Sequence, residues 1–229
     1  MKKAVISPST FKFLKSISKN NNRDWFNANK DQYIAAYENM IAFADALLDE
    51  MNKHDKIETS SGKQSLYRIY KDTRFSNDKT PYKSSWSGGF SRATKQLRGG
   101  YYFHIEPGNS FAGGGFRGPK PEDLKRIRQD IDLNSEDWKK LLANKTLKKT
   151  FGNMRGKQVA SAPRGYAKDH PAIEQLRHKQ FIFRHNFSDK EVLSPDFAKK
   201  LSKTFKDLRP FFDYMSEVLT TDLNGISIV

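Results

Sequence analysis

Cysteine is absent from the 229 residues, which removes disulfide frameworks, thiolate nucleophiles, zinc ribbons and Cys-ligated clusters together. No apolar run approaches the roughly 20 residues of a membrane span, so a transmembrane protein is not expected. The start, Met1-Lys-Lys-Ala-Val-Ile-Ser-Pro-Ser, lacks the long apolar stretch and small-residue cleavage site of a secretory signal. The expected compartment is the cytoplasm. There is no Gly-x-Ser-x-Gly elbow, no P-loop ending and no dinucleotide spacing among the glycines. Helix-turn-helix, zinc-finger and ribonucleoprotein motifs are missing too, so nothing supports sequence-specific readout of nucleic acid.

Carboxylates are also scarce: 26 Asp and Glu stand against 41 Lys and Arg, a formal net charge of +15. The excess is uneven. Residues 1–60 carry nine cations and eight carboxylates, whereas residues 61–120 carry eleven and three. That segment alone is +8, with its charges interleaved among Tyr, Phe, Trp and Gly. A basic surface of this kind concentrates anions and speeds their capture. What the chain does have is 36% hydrophobic and 13% aromatic residues, enough to bury a real core.

Ser7-Pro8 predicts a helix start, with Ser7 as N-cap and Phe11, Leu14 and Ile17 on one face. Tyr33, Ile34, Tyr37, Met40, Ile41, Ala44, Leu47, Leu48 and Met51 step by three and four, the strongest helical signal in the chain. Asp24 is the expected cap of that helix. From about Ser65 to Phe116 the helical period gives way to short aromatic or β-branched runs: 66–70, 84–90, 101–105 and 110–116. Pro107-Gly108-Asn109 predicts a hairpin, hence an antiparallel pairing. Pro119 and Pro121 open a helix with Leu124, Ile127 and Ile131, and Ser135 opens another. Residues 152–170 read as a long loop, His170-Pro171 as a helix start, and 181–185 as a strand. Ser194-Pro195 precedes a helix carrying Phe197, Leu201, Phe205 and Leu208, broken by Pro210 before a last helix. The expected fold is one α+β domain over 1–229, a mainly antiparallel sheet with N- and C-terminal helices on one face.

The densest segment runs from Arg68 to Lys83, with five cations and two carboxylates around a turn. Arg offers a planar fork for phosphate or carboxylate, and Lys a point charge. The structural alternative is an Asp–Arg network that pins an irregular loop. In Tyr101-Tyr-Phe-His104-Ile-Glu106, alternation puts Tyr102, His104 and Glu106 on one face. Such a pair can move protons, or can simply be a hydrogen-bonded pair at a strand end. No further ligands stand at metal-site spacing, so no metal and no cofactor are expected. The glycines at 113–115 precede a helix, yet a bulge or close backbone approach suits them better than a phosphate cradle.

Arg68-x-x-Lys-Asp-x-Arg-Phe-x-x-Asp-Lys-x-Pro-Tyr82 resembles the signature of the "domain of unknown function 2461" family. The likeness extends to Asn22-Arg-Asp-Trp-Phe, to His104-Ile-Glu-Pro-Gly with Ser110-Phe and Gly113-Gly-Gly, and to Pro163-x-Gly-Tyr. It thus covers nearly the whole chain. Lys71 departs from it, since the signature usually has Arg there. The resemblance implies a soluble, intracellular, mostly bacterial one-domain protein and carries no established activity.

The first functional expectation is an anion-binding module for phosphate or single-stranded nucleic acid, with no membrane partner. Its cations would be Arg68, Arg74, Lys79, Lys83, Arg92 and Arg98, aided by stacking from Trp86 or Tyr70. The second is an enzyme on a small anionic substrate, with Asp72, His104 or Glu106 moving a proton. A third is a purely architectural role. Three placements separate them: Asp72, Arg74, Asp78 and Lys79 clustered near His104 and Glu106; Lys83, Arg92, Lys95 and Arg98 exposed; and Arg74 partly buried.

Overall fold

The computed structural model of the chain describes residues 4–222 and 224–229. Its helices are α1 (Pro8–Lys19), α2 (Arg23–Ala28), α3 (Lys30–Met51), α4 (Gly62–Ser65), α5 (Pro121–Leu133), α6 (Ser135–Leu142), α7 (Lys145–Phe151), α8 (Ile173–Leu176), α9 (Asp189–Val192), α10 (Phe197–Lys206) and α11 (Arg209–Thr220). Strands β1 (Trp86–Ser91), β2 (Gly100–Ile105), β3 (Ser110–Phe116) and β4 (Phe181–Phe187) form one antiparallel sheet in the order β1-β2-β3-β4. The fold is α+β. The chain divides into two compact units: residues 1–91, 102–112 and 186–203 in the first, and 92–101, 113–185 and 204–229 in the second.

In the first unit Ser7 caps α1, its hydroxyl accepting from the Ser9 N–H at 3.2 Å, with Pro8 following. Phe11, Phe13, Leu14 and Ile17 are buried. The α3 stripe buries Met40, Phe43, Ala44, Leu47 and Met51. Phe43 meets Phe103 edge-on at 6.1 Å and stacks on Phe197 at 5.6 Å. Strand β2 alternates as expected: Tyr101, Phe103 and Ile105 are buried, while Tyr102 and His104 are half-buried on the other face. Gly62 brings α4 against α3 so closely that a Cβ there would stand 2.4 Å from the Asp45 nitrogen.

The start of the long helix differs from the expectation. Asn22, not Asp24, caps a separate short helix, accepting from the Trp25 N–H at 2.9 Å, and α3 begins only after Asn29. The amide side chain outcompetes Asp24 because it sits two residues earlier, where the first orphan N–H groups point. Residues 66–70 make isolated bridges, Leu66 to Gly88 and Tyr70 to Tyr82, and not a continuous ladder strand.

In the second unit Ile127 and Ile131 of α5 are buried, and Pro210 falls in the first turn of α11, where its missing N–H costs nothing. Tyr101 packs on Phe205 at 5.1 Å and Phe212 at 5.0 Å. Asp130 collects the Trp138 indole N–H at 2.6 Å, the Tyr214 hydroxyl at 2.8 Å and the Asn134 amide at 2.7 Å. Burial, reinforced by the Asp130 charge, pushes the Tyr214 phenol far up. The glycine run lies in β3: at Gly115 φ is +129°, and a Cβ would stand 2.0 Å from the Phe181 oxygen. Close strand approach, not phosphate binding, accounts for it. Among the described residues no helix is long and apolar enough to cross a membrane.

Candidate functional site

The Arg68–Lys83 segment folds as a hairpin beside β1. Tyr67 N–H donates to the Ser87 carbonyl at 2.9 Å, Lys71 N–H to Pro81 at 2.9 Å, and Lys83 N–H to Ile69 at 2.8 Å. Its tip is closed by charge. Asp72 accepts the Arg74 guanidinium through both oxygens, at 3.0 and 2.7 Å. Asp78 accepts the Lys71 ammonium at 2.7 Å and the Thr80 hydroxyl and N–H at 2.7 and 2.9 Å. The Arg74 bond holds the Asp72 carboxyl below its usual range, and Lys71 with Thr80 holds Asp78 lower still. Both stay anionic, so each cancels one cation of the tip.

Helix α2 meets this hairpin from the N-terminal side. The Asn21 amide donates to the Tyr82 carbonyl at 2.9 Å and accepts from the Tyr82 N–H at 3.0 Å. Phe26 stacks on Tyr82 with centroids 4.0 Å apart and planes 12° apart, and touches Tyr70 at 5.9 Å. These contacts enclose a cleft of about 360 Å³ lined by Arg23, Asn27, Tyr70, Lys71, Thr73, Pro81 and Tyr82. Burial raises the Tyr82 phenol, against the pull of the nearby Arg23 charge. Arg23 and Arg68 are exposed, and among the described residues neither side chain makes an ion pair. Lys79 caps the Thr73 carbonyl at 3.0 Å and Lys83 the Arg68 carbonyl at 2.8 Å. Burial, together with the Arg68 charge, lowers the Lys83 ammonium.

His104 and Glu106 form a set of their own. Tyr102 Oη and His104 Nδ1 are 3.3 Å apart, and His104 Nε2 and Glu106 Oε2 are 3.1 Å apart. A hydroxyl donating to Nδ1 and an Nε2–H donating to the carboxylate satisfy both contacts with a neutral ring. Glu106 also accepts from Ser84 at 2.9 Å and Asn109 at 2.7 Å. Burial works to raise its carboxyl, but the Asn109, His104 and Ser84 hydrogen bonds outweigh it and the pKa falls. The Phe111 ring stacks on His104 at 4.8 Å. This is a hydrogen-bonded pair on the sheet face away from Phe103. Asp72 is tied to Arg74 at the hairpin tip, and among the described residues no hydrogen bond or ion pair joins it to His104 or Glu106. Among the described residues no His, Cys, Asp and Glu group could hold a metal ion.

Four placements of cations need correction, the first being Lys83, which is half-buried and not exposed. Arg92 is buried, not exposed: its guanidinium donates to Asp213 at 2.6 Å, to Ser216 at 3.3 Å and to the Arg98 carbonyl at 3.2 Å, beside the Phe212 ring. Arg98 is half-buried and ion-paired with Asp123 at 2.6 Å. Arg74, expected to be partly buried, has 77% of its side chain exposed. Trp86 is buried against Tyr33 and Tyr37 and offers no face to a ligand. Conversely, Arg23, Asn27 and Thr73 line the cleft without having been singled out as binding residues. The only hint was that Arg23 lies within the Asn22–Phe26 run.

The family model described as "Conserved hypothetical protein (DUF2461)" matches residues 9–214. No curated protein and no solved structure matches the chain.

Proposed function

We propose that this chain, which belongs to the DUF2461 family, binds anions in the cleft between α2 and the Arg68–Lys83 hairpin. One observation carries the reading. Two of the runs that carry the family likeness, Asn22–Phe26 and Arg68–Tyr82, close on each other around a cleft lined by Arg23 and Lys71. Among the described residues no carboxylate pairs with the Arg23 guanidinium, so its fork is open to a phosphate. Lys71 is held toward Thr80 and Asp78, and Thr73 adds a hydroxyl to the wall. Arg68, Lys79 and Lys83 extend the positive field along the hairpin. Arg74 contributes less, because its fork is already filled by Asp72.

The test is calorimetric titration with inorganic pyrophosphate at low and moderate salt, on wild type and on the double variant Arg23→Ala/Arg68→Ala. Wild-type affinity should fall as salt rises, and the double variant should bind at least tenfold more weakly with its melting temperature unchanged. No heat of binding at low salt, or equal affinities for the two proteins, refutes the assignment.

A further inference from the structure

From the rings and cations of the hairpin we infer that the anion it takes is a single-stranded nucleic acid, whose bases stack on Tyr67, Tyr70 and Phe75. The inference rests on the anion-binding reading above and narrows it to one class of ligand.

Among the described residues, the large apolar side chains left exposed include three aromatics: Tyr70 and Phe75 lie on this hairpin and Tyr67 directly precedes it. Tyr67 is 50% exposed, Tyr70 47% and Phe75 96%. A single exposed Phe is ordinary alone, so the grouping of the three rings carries the argument. Each ring also has a cation as its chain neighbour: Tyr67-Arg68, Tyr70-Lys71 and Arg74-Phe75, with Tyr82-Lys83 repeating the pairing at the cleft. The Arg74 guanidinium sits 5.8 Å from the Phe75 ring centroid, which leaves one face of that ring open. Alternating rings and positive charges match a single strand, where unpaired base faces alternate with phosphates. A duplex hides those faces in its own stack.

The surface continues beyond the hairpin. Tyr67 stacks on Tyr102 at 6.3 Å, and Tyr102 meets Phe111 at 5.7 Å.

The experiment compares fluorescence anisotropy of a labelled twelve-nucleotide oligothymidylate with that of an abasic strand of equal length and charge. Wild type should bind the base-bearing strand at least tenfold more tightly. Phe75→Ala and Tyr67→Ala should each lower that affinity about fivefold or more, the least that a base–ring stack is worth. Neither should change the abasic affinity or the salt slope. Both side chains are exposed, and melting curves verify that the variants fold. Equal wild-type affinity for the two strands overturns the inference while leaving pyrophosphate binding intact. Failure of both strands and of pyrophosphate removes the anion-binding reading with it. Phe75-dependent binding to phosphatidylserine vesicles, without strand binding, assigns the tip to membranes and overturns the inference as well.

Discussion

Replacing Arg92 with Ala removes a cation whose side chain is fully buried and which donates to Asp213, Ser216 and the Arg98 carbonyl. The cost can be built from its partners. Breaking a buried ion pair from one side costs about 3–5 kcal/mol when the remaining charge is stranded. Asp213 is not stranded, because it is 50% exposed and keeps Arg209 at 3.3 Å. Ser216 also keeps company, donating to the Phe212 carbonyl at 2.7 Å and accepting the Arg98 N–H at 2.9 Å. What remains is the Arg98 carbonyl, which loses its 3.2 Å donor at about 1–3 kcal/mol, and a void beside Phe212. Together these predict a loss on the order of 2–4 kcal/mol by urea denaturation, with an unchanged denaturant slope. Arg92→Met fills the space without the hydrogen bonds and should recover part of it, whereas Arg92→Lys keeps charge but loses the fork. Strand and pyrophosphate affinity should be unchanged in the folded variants. An Arg92→Ala protein as stable as wild type, or one that keeps its stability and loses anion affinity, refutes the structural assignment.

Leu47→Asp should abolish the cooperative thermal transition, because Leu47 is fully buried in the α3 stripe and an unpaired carboxylate would enter the core. Gly62→Ala should cost about 1–3 kcal/mol or more in chemical denaturation, since the added carbon meets the rigid backbone of α3 at Asp45 and Ile41. Arg74→Ala should leave the melting temperature unchanged, because its ion pair with Asp72 is solvent-exposed. At acid pH, Glu191 is the residue to watch: the Lys200 ammonium and the Ser188 cap bring its carboxyl down to about 2. A depressed native pKa adds stability above the unfolded-state value of 4.5 and loses it as pH falls through about 2. Wild type should therefore be more stable than Glu191→Gln near neutrality, and the difference should shrink steadily below pH 4.5. A difference that does not vary with pH counts against the capping geometry.

Elements whose side chains repeat at a fixed period were legible in the sequence. The α3 stripe, the β2 alternation, the turn at 107–109 and the α5 start at Pro121 all follow from residues within one or two turns of each other. The short helices α4, α7 and α9 were not foreseen, because four to seven residues hold too little periodicity to stand out. The fate of each cation was less legible still, since it depends on partners far along the chain. Arg92 finds Asp213 121 residues away, and Asn21 grips Tyr82 61 residues away; no local spacing encodes either pairing. The basic excess of residues 61–120 therefore splits in a way that composition alone could not show. Arg92 and Arg98 turn inward to Asp213 and Asp123 and work as struts. Lys71 and Arg74 spend their charge on Asp78 and Asp72, which shape the hairpin tip. Arg68 on the hairpin and Arg23 on α2 make no ion pair among the described residues and stand beside exposed rings, so the proposed site is argued from two guanidiniums and three aromatic faces and not from net charge.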